Sequence, residues 1–284
     1  MDATYFPIPQ PRVSLLGMIQ QSITGLHQRR QLLGQLAWRE VQSRYRGSWL
    51  GVVWSLLNPL LMLALYTYVF SIVFQARWSE RSEQGSVDFA LAVFSGLIAF
   101  NLFAENVTAA PGLILGNASQ VKRVVFPLEV LPLARFMASL VQAGLSLLIL
   151  LLAIWWYRDR IPWTVLLSPL AAVPLALLTI GCSMFLASLG VFIRDVGNVV
   201  GIGVSALMFL SPVFYPLSRP PESVRSFLAC NPLAPIIDNF RRVVLEGLPL
   251  DWTSWTSATC TSALVAAAGW VWFVKSKNAF ADVL

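Results

Sequence analysis

Few residues of this chain are of the types that make or break covalent bonds. His27 is the single histidine, and Cys182, Cys230 and Cys260 lie too far apart to form a CxxC pair. A histidine-based metal site, a catalytic triad or a zinc site is therefore implausible. Nothing in the spacing requires Cys230 and Cys260 to pair. No GxxxxGK[ST] phosphate loop occurs, so the chain is not expected to hydrolyse ATP by itself. What remains is arginine and aromatic chemistry. Arg39, Arg44 and Arg46 stand just before the first long apolar run. Guanidinium groups bind anions by paired, charge-assisted hydrogen bonds. They also anchor chains to anionic headgroups, at about 1 kcal/mol per residue. Trp54, Tyr66, Tyr68, Phe70 and Phe74 fall on the first apolar run, and Phe209, Phe214 and Tyr215 on the fifth. Such rings stack on sugars and let a polymer slide, but they equally anchor helices at interfaces and pack between them.

The elements that position these residues follow from composition. Of 284 residues, 57% are hydrophobic and 12% charged, about half the charged fraction of a soluble domain. Too few polar groups are present to cover a globular surface, so the outer surface is expected to face lipid. About 20 apolar residues cross a bilayer as a helix. Six runs qualify: 49–74, 89–103, 133–157, 163–192, 196–214 and 257–274. Glu105, Asn106 and Pro111 blur the end of the second. Pro132 favours the start of the third, Pro169 and Pro174 predict a kink or a tilted start in the fourth, and Pro212 and Pro216 stop the fifth. The predicted fold class is an all-α membrane protein, divided into an N-terminal segment 1–48 and a six-helix domain 49–284.

Residues 1–48 lack the apolar run of a signal peptide. Leu32, Leu33, Leu36 and Val41 recur among Arg29, Arg30, Arg39 and Arg44, with Trp38 beside them. This spacing predicts an amphipathic helix on a membrane surface, or a solvated one beside it. With six spans, twelve of the 20 Lys and Arg residues fall on the side of the termini, which favours cytoplasmic termini. The net charge of +6 then faces lipid headgroups rather than nucleic acid. Between the fifth and sixth runs, segment 215–255 carries short apolar groups broken by Pro220, Pro221, Pro232, Pro235 and Pro249. Two short helices dipping into the outer leaflet fit this pattern, as does an amphipathic loop. GxxxG patterns at 47–51 and 197–201 would let the first and fifth helices approach, within or between subunits. The cores of the spans hold no ionisable residue except Glu105 at a ragged end, so no proton relay is evident. Energy for transport would come from a partner, and an intramembrane hydrolase lacks its acid and base.

Four stretches in order resemble one family. They are Arg44-Tyr45-Arg46-Gly47-Ser48-Trp49-Leu50-Gly51 with Trp54 and Asn58-Pro59; Lys122-Arg123-Val124-Val125-Phe126-Pro127; Arg194-Asp195-Val196 running on to Ser211-Pro212-Val213-Phe214-Tyr215-Pro216; and Asn231-Pro232-Leu233 with Phe240-Arg241-Arg242 and Glu246-Gly247. Together they resemble the membrane (permease) subunit of ABC transporters that export O-antigen polysaccharides and teichoic acids. The resemblance covers roughly residues 30–284.

The resemblance implies six spans with cytoplasmic termini in a bacterial inner membrane, and re-entrant outer helices before the last span. It implies a homodimer around a channel, and two copies of a separate ATPase that carries the ATP and Mg, with no cofactor on this chain. The implied cargo is a long glycan joined through a diphosphate to a polyprenol lipid. Loop 116–127 would couple to the ATPase, through Lys122, Arg123 and Phe126. Arg39, Arg44 and Arg46 would recruit the diphosphate to a lateral entrance, or serve as generic lipid anchors. The first and fifth helices would line the channel, with Trp54, Tyr66, Phe209, Phe214 and Tyr215 at sugar-stacking or gating positions. Arg241 and Arg242 would line the outer exit or pair with Asp238 and Glu246. An ABC permease for a drug or another lipid shares the architecture, and O-antigen, capsule and teichoic acid all remain open as cargo.

Overall fold

A backbone surrounded by lipid must pair its N–H and C=O groups within its own segment, which a helix does. In a computed structural model describing residues 30–45, 49–73, 85–117, 127–217, 221, 228 and 231–283, every regular element is helical. The helices are α1 (Arg30–Tyr45), α2 (Trp54–Thr67), α3 (Gly85–Leu113), α4 (Val130–Arg158), α5 (Ser168–Ala171), α6 (Val173–Phe192), α7 (Val196–Phe209), α8 (Leu233–Arg241), α9 (Trp252–Ser276) and α10 (Phe280–Val283). A 3₁₀ turn precedes α2 and a π-helical turn, Tyr68–Val73, follows it. Four stretches are long and apolar enough to cross a membrane: Val87–Leu113, Val130–Arg158, Trp163–Phe192 and Trp252–Ser276. The apolar helices Trp54–Phe70 and Val196–Phe209 are shorter.

Local chemistry sets the boundaries. The second run does not stop at residue 103, because its polar residues are satisfied inside the helix. Asn106 donates to the Leu102 carbonyl at 2.7 Å, Glu105 finds an arginine, and Pro111 falls in the last turn, so the bond it takes from the Val107 carbonyl is lost only where the helix is already ending. The fourth run breaks at Ala172, as its prolines predict. Pro169 and Pro174 each occupy the first turn of a new helix, where the missing N–H has no partner anyway. After α7 the chain turns at once through buried Ser211, Pro212 and Val213. The Asn231 amide holds that turn by donating to the Leu210 carbonyl (3.0 Å) and Ser211 Oγ (2.9 Å). The Asp251 carboxylate caps α9 by accepting from the Thr253 N–H at 3.2 Å.

Helix α3 is the centre of the bundle. Its residues 88–100 are buried without interruption, as expected of a helix apolar on every side. It packs on α2, α4, α6, α7 and α8. Helices α6 and α9 cross closely. A Cβ on Gly181 would stand 2.6 Å from Ala266 Cα, and one on Gly269 would run into the Gly181 carbonyl. Neither glycine belongs to a GxxxG pattern. Of the glycines at 47–51 and 197–201, Gly51 and Gly201 face open space, and Gly197 has only the Pro111 side chain near it. Gly47 lies outside the described residues. Among the described residues of one chain, α2 and α7 are therefore not joined through these patterns.

The ends of the bundle are distinct. At one, Ile114, Leu131, Val191, Phe273 and Phe280 form a separate apolar cluster, and Lys277 pairs with Glu129 at 2.5 Å. Helix α1 lies at this end, against α4. At the other, Arg158 bonds Asp88 (2.6 Å) and the Leu245 carbonyl (2.6 Å), and α8 is buried through Leu233, Ile236, Ile237 and Phe240. One short helix of segment 215–255 is thus present. Most of 218–230, where a second would fall, lies outside the described residues.

Candidate functional site

Helices α3 and α4 each carry a polar stripe. On α4, Arg135, Ser139, Gln142 and Ser146 recur at intervals of three and four residues, and on α3 Asn101, Glu105 and Thr108 do the same. That spacing places each set on one helix face. Both stripes line one cavity of ≈ 910 Å³, walled by Asn58, Met62 and Tyr66 of α2 and by Met208 of α7. From Thr108 to Phe94 along α3 the cavity spans roughly 20 Å, at about 1.5 Å per residue. Its α1 end is charged. Its far end is apolar, with Phe94, Leu97 and Ile98. A ligand with an anionic head and an apolar or ring-bearing body matches that gradient.

Arginines supply the charged end. Arg44 Nη1 pairs with Glu105 Oε1 at 2.5 Å, and Arg44 Nη2 donates to Ser139 Oγ at 3.0 Å. Arg135 Nη1 pairs with Glu40 Oε1 at 2.6 Å. Both pairs join α1 to the bundle. Glu40 and Arg44 lie four residues apart, so one face of α1 meets α3 and α4 with charge. Ala37 is buried beside them, while Leu32, Leu33, Leu36 and Val41 are half-buried and Trp38 is exposed. Gln142 donates to the Ser55 carbonyl at 3.0 Å and so ties the start of α2 to the same wall.

Of the expected anion-binding residues, the structure brings Arg44 to the cavity. Arg39 is exposed, and Arg46 lies outside the described residues. Arg135 was not expected. A lone arginine two residues into an apolar run reads as an ordinary charged flank, and its partner Glu40 is 95 residues away in sequence. The polar spacing along α4 was the available signal.

Four of the five expected channel aromatics gather in one string. Tyr66, on the cavity wall, lies 6.3 Å from Phe70, centroid to centroid. Phe70 meets Phe89 at 4.9 Å and Phe214 at 6.5 Å, and Phe214 meets Phe209 at 6.1 Å. Tyr215 Oη donates to the Phe209 carbonyl at 3.1 Å. Trp54, at the opposite end of α2, stands apart from this string. Phe70 is the ring through which the others connect.

Arg241 is buried and lines no exit. Its Nε donates to the Ala92 carbonyl (3.2 Å) and its Nη2 to the Pro212 (2.8 Å) and Val213 (3.3 Å) carbonyls. Burial pushes its guanidinium down to about 10, against the opposing pull of Asp238 and Glu246, so it stays charged at neutral pH. One side chain thus joins α8, α3 and the turn after α7. Gly96 makes room for it, since a Cβ there would stand 2.7 Å from Arg241 Nη2. Lys122, Arg123 and Phe126 lie outside the described residues, as does Cys230. Cys182 and Cys260 are free thiols.

The family model described as "ABC-2 type transporter" matches residues 31–245. The chain is similar to an O-antigen export system permease protein RfbA of Myxococcus xanthus, with 31% identity over 78% of this chain and 83% of that one. It is similar to an O-antigen export system permease protein RfbA of Klebsiella pneumoniae, with 26% identity over 87% of this chain and 92% of that one. It is also similar to a polysialic acid transport protein KpsM of Escherichia coli, with 23% identity over 74% of this chain and 79% of that one.

Proposed function

The chain belongs to the ABC-2 type transporter membrane family, and from that premise we infer that it is the permease subunit of a polysaccharide-exporting ABC transporter, with O-antigen as the favoured cargo class. It is a transport subunit, and ATP hydrolysis lies with separate chains. The observation that carries the reading is the cavity of ≈ 910 Å³, charged at one end and leading through Tyr66 into a string of aromatic rings.

In this reading the cargo is a glycan on a polyprenyl diphosphate. The diphosphate is held at the charged end by Arg44, with Arg39 and Arg46 drawing it in from the headgroup layer. Guanidinium binds phosphate bidentately and keeps its charge at any physiological pH. The sugars then pass along Tyr66, Phe70, Phe214 and Phe209, whose faces attract sugar rings without fixed hydrogen bonds. Two copies pair to close the channel, and two ATPase subunits bearing ATP and Mg dock on the side of the termini. Helices α2 and α7 serve as the first and fifth of six spans, extended by the turns that flank them. The charge asymmetry favours cytoplasmic termini for this protein in a bacterial inner membrane. Lys122, Arg123 and Phe126 transmit the closing of the ATPase pair.

Native mass spectrometry of the gently solubilised, tagged chain tests the assembly. The expected mass is two copies of this chain with two of an ATPase. A complex that lacks an ATPase yet moves lipid-linked glycan would contradict the reading.

A further inference from the structure

The charged end of the cavity holds more cationic capacity than its resident partners use. Arg44 and Arg135 both line the cavity. Each has one carboxylate, Glu105 and Glu40 respectively. Each also keeps a buried Nε–H with no acceptor among the described residues. Buried donors without acceptors are rare, and a pair of them in one cavity calls for an explanation. The carboxylates bring the cluster to zero net charge, which lowers the cost of holding two cations beside apolar walls.

We propose that Arg135 is the second half of a two-guanidinium receptor for the carrier's diphosphate, and that Glu105 and Glu40 are resident competitors which the diphosphate displaces. This rests on the lipid-diphosphate reading above. A diphosphate offers several acceptor oxygens and at least two negative charges, enough to take the Nε donors and replace both carboxylates. The exchange has a mechanical consequence. Arg44–Glu105, Arg44–Ser139 and Arg135–Glu40 are the side-chain bonds that tie α1 to α3 and α4 among the described residues. A diphosphate that captures both arginines releases the two carboxylates, one of them on α1 and one on α3. Loading the head group therefore loosens α1 from the cavity wall, and the empty site keeps it shut.

The test is a binding titration of the whole transporter, with its ATPase subunits, in nanodiscs. The probes are fluorescent farnesyl diphosphate and the matching farnesol. The wild-type complex should prefer the diphosphate. Glu105→Gln and Glu40→Gln each remove a competitor and should tighten the diphosphate about two- to fivefold, a change of the size that a partly exposed ion pair can supply. Neither should alter farnesol binding. Arg135→Ala should weaken the diphosphate about tenfold or more, and Arg135→Lys should recover part of that loss.

If both glutamine variants bind the diphosphate as the wild type does while Arg44→Ala weakens it, competition is refuted and the diphosphate site stands. If Arg135→Ala weakens both probes equally, Arg135 shapes the cavity and is not a phosphate ligand. If the wild-type and glutamine complexes bind both probes equally, the proposal and the diphosphate reading fall together.

Discussion

Arg241 shows how a buried charge becomes a structural joint. Its guanidinium serves the carbonyls of three buried residues, on two different elements. Arg241→Ala takes a donor from all three; the Ala92 carbonyl keeps the Ser95 hydroxyl at 2.8 Å, so the loss falls on the Pro212 and Val213 carbonyls, at roughly 1–3 kcal/mol for each group not otherwise satisfied. We expect thermal unfolding in detergent to show a loss on the order of 3 kcal/mol. Gly96→Val should reproduce most of it, because its side chain takes the space of Arg241 Nη2. An unchanged melting temperature in both would remove Arg241 from this role. The residue scale was unevenly legible in the sequence. Arg44, Tyr66, Phe209, Phe214 and Tyr215 could be picked out by type and position, and the fold gathers them. Arg135 and the role of Arg241 could not, since both act through partners far away in the chain, and a single sequence does not display pairing across 95 or 149 residues.

Helices were easier to read than contacts between them. Apolar runs located the four stretches long enough to cross a membrane, and the prolines at 169 and 174 marked the break before α6, because proline acts on its own helix. Packing was harder. The GxxxG patterns pointed to α2 against α7, yet a close crossing uses one glycine on α6 and one on α9, a match visible only once the two helices face each other. Gly181→Leu should therefore cost about 2–3 kcal/mol or more through overpacking against backbone. Gly201→Leu, in open space within this chain, should leave the fold of a single subunit nearly unchanged. Detergent melting curves of the two variants decide the point, and equal losses would mean the α6–α9 crossing is looser than described. The coupling loop makes a different prediction. Reversing charge with Lys122→Glu and Arg123→Glu should lower export at least tenfold while the associated ATPase still hydrolyses ATP. Unchanged export would take both residues out of the coupling path.

At the scale of the molecule, one chain leaves broad apolar faces uncovered. Leu60, Leu61 and Leu65 on α2 and Val199, Ile202 and Phe209 on α7 are all exposed. Patches of that extent belong against lipid or another subunit. Composition announced this much, since 12% charged residues cannot cover a globular surface in water. What composition did not announce was the cavity, which exists because two polar stripes on α3 and α4 face each other in three dimensions. The most direct test of the central claim is transport itself. The chain and its ATPase subunit would be reconstituted in proteoliposomes with lipid-linked O-antigen added at the ATP-accessible face. The appearance of glycan on the far side would be followed by digestion with a membrane-impermeant glycosidase. The account predicts translocation that requires ATP, is lost in Arg44→Ala and is slowed in Tyr66→Ala. Glycan that crosses equally well without ATP, or is never moved although the ATPase turns over, would contradict it.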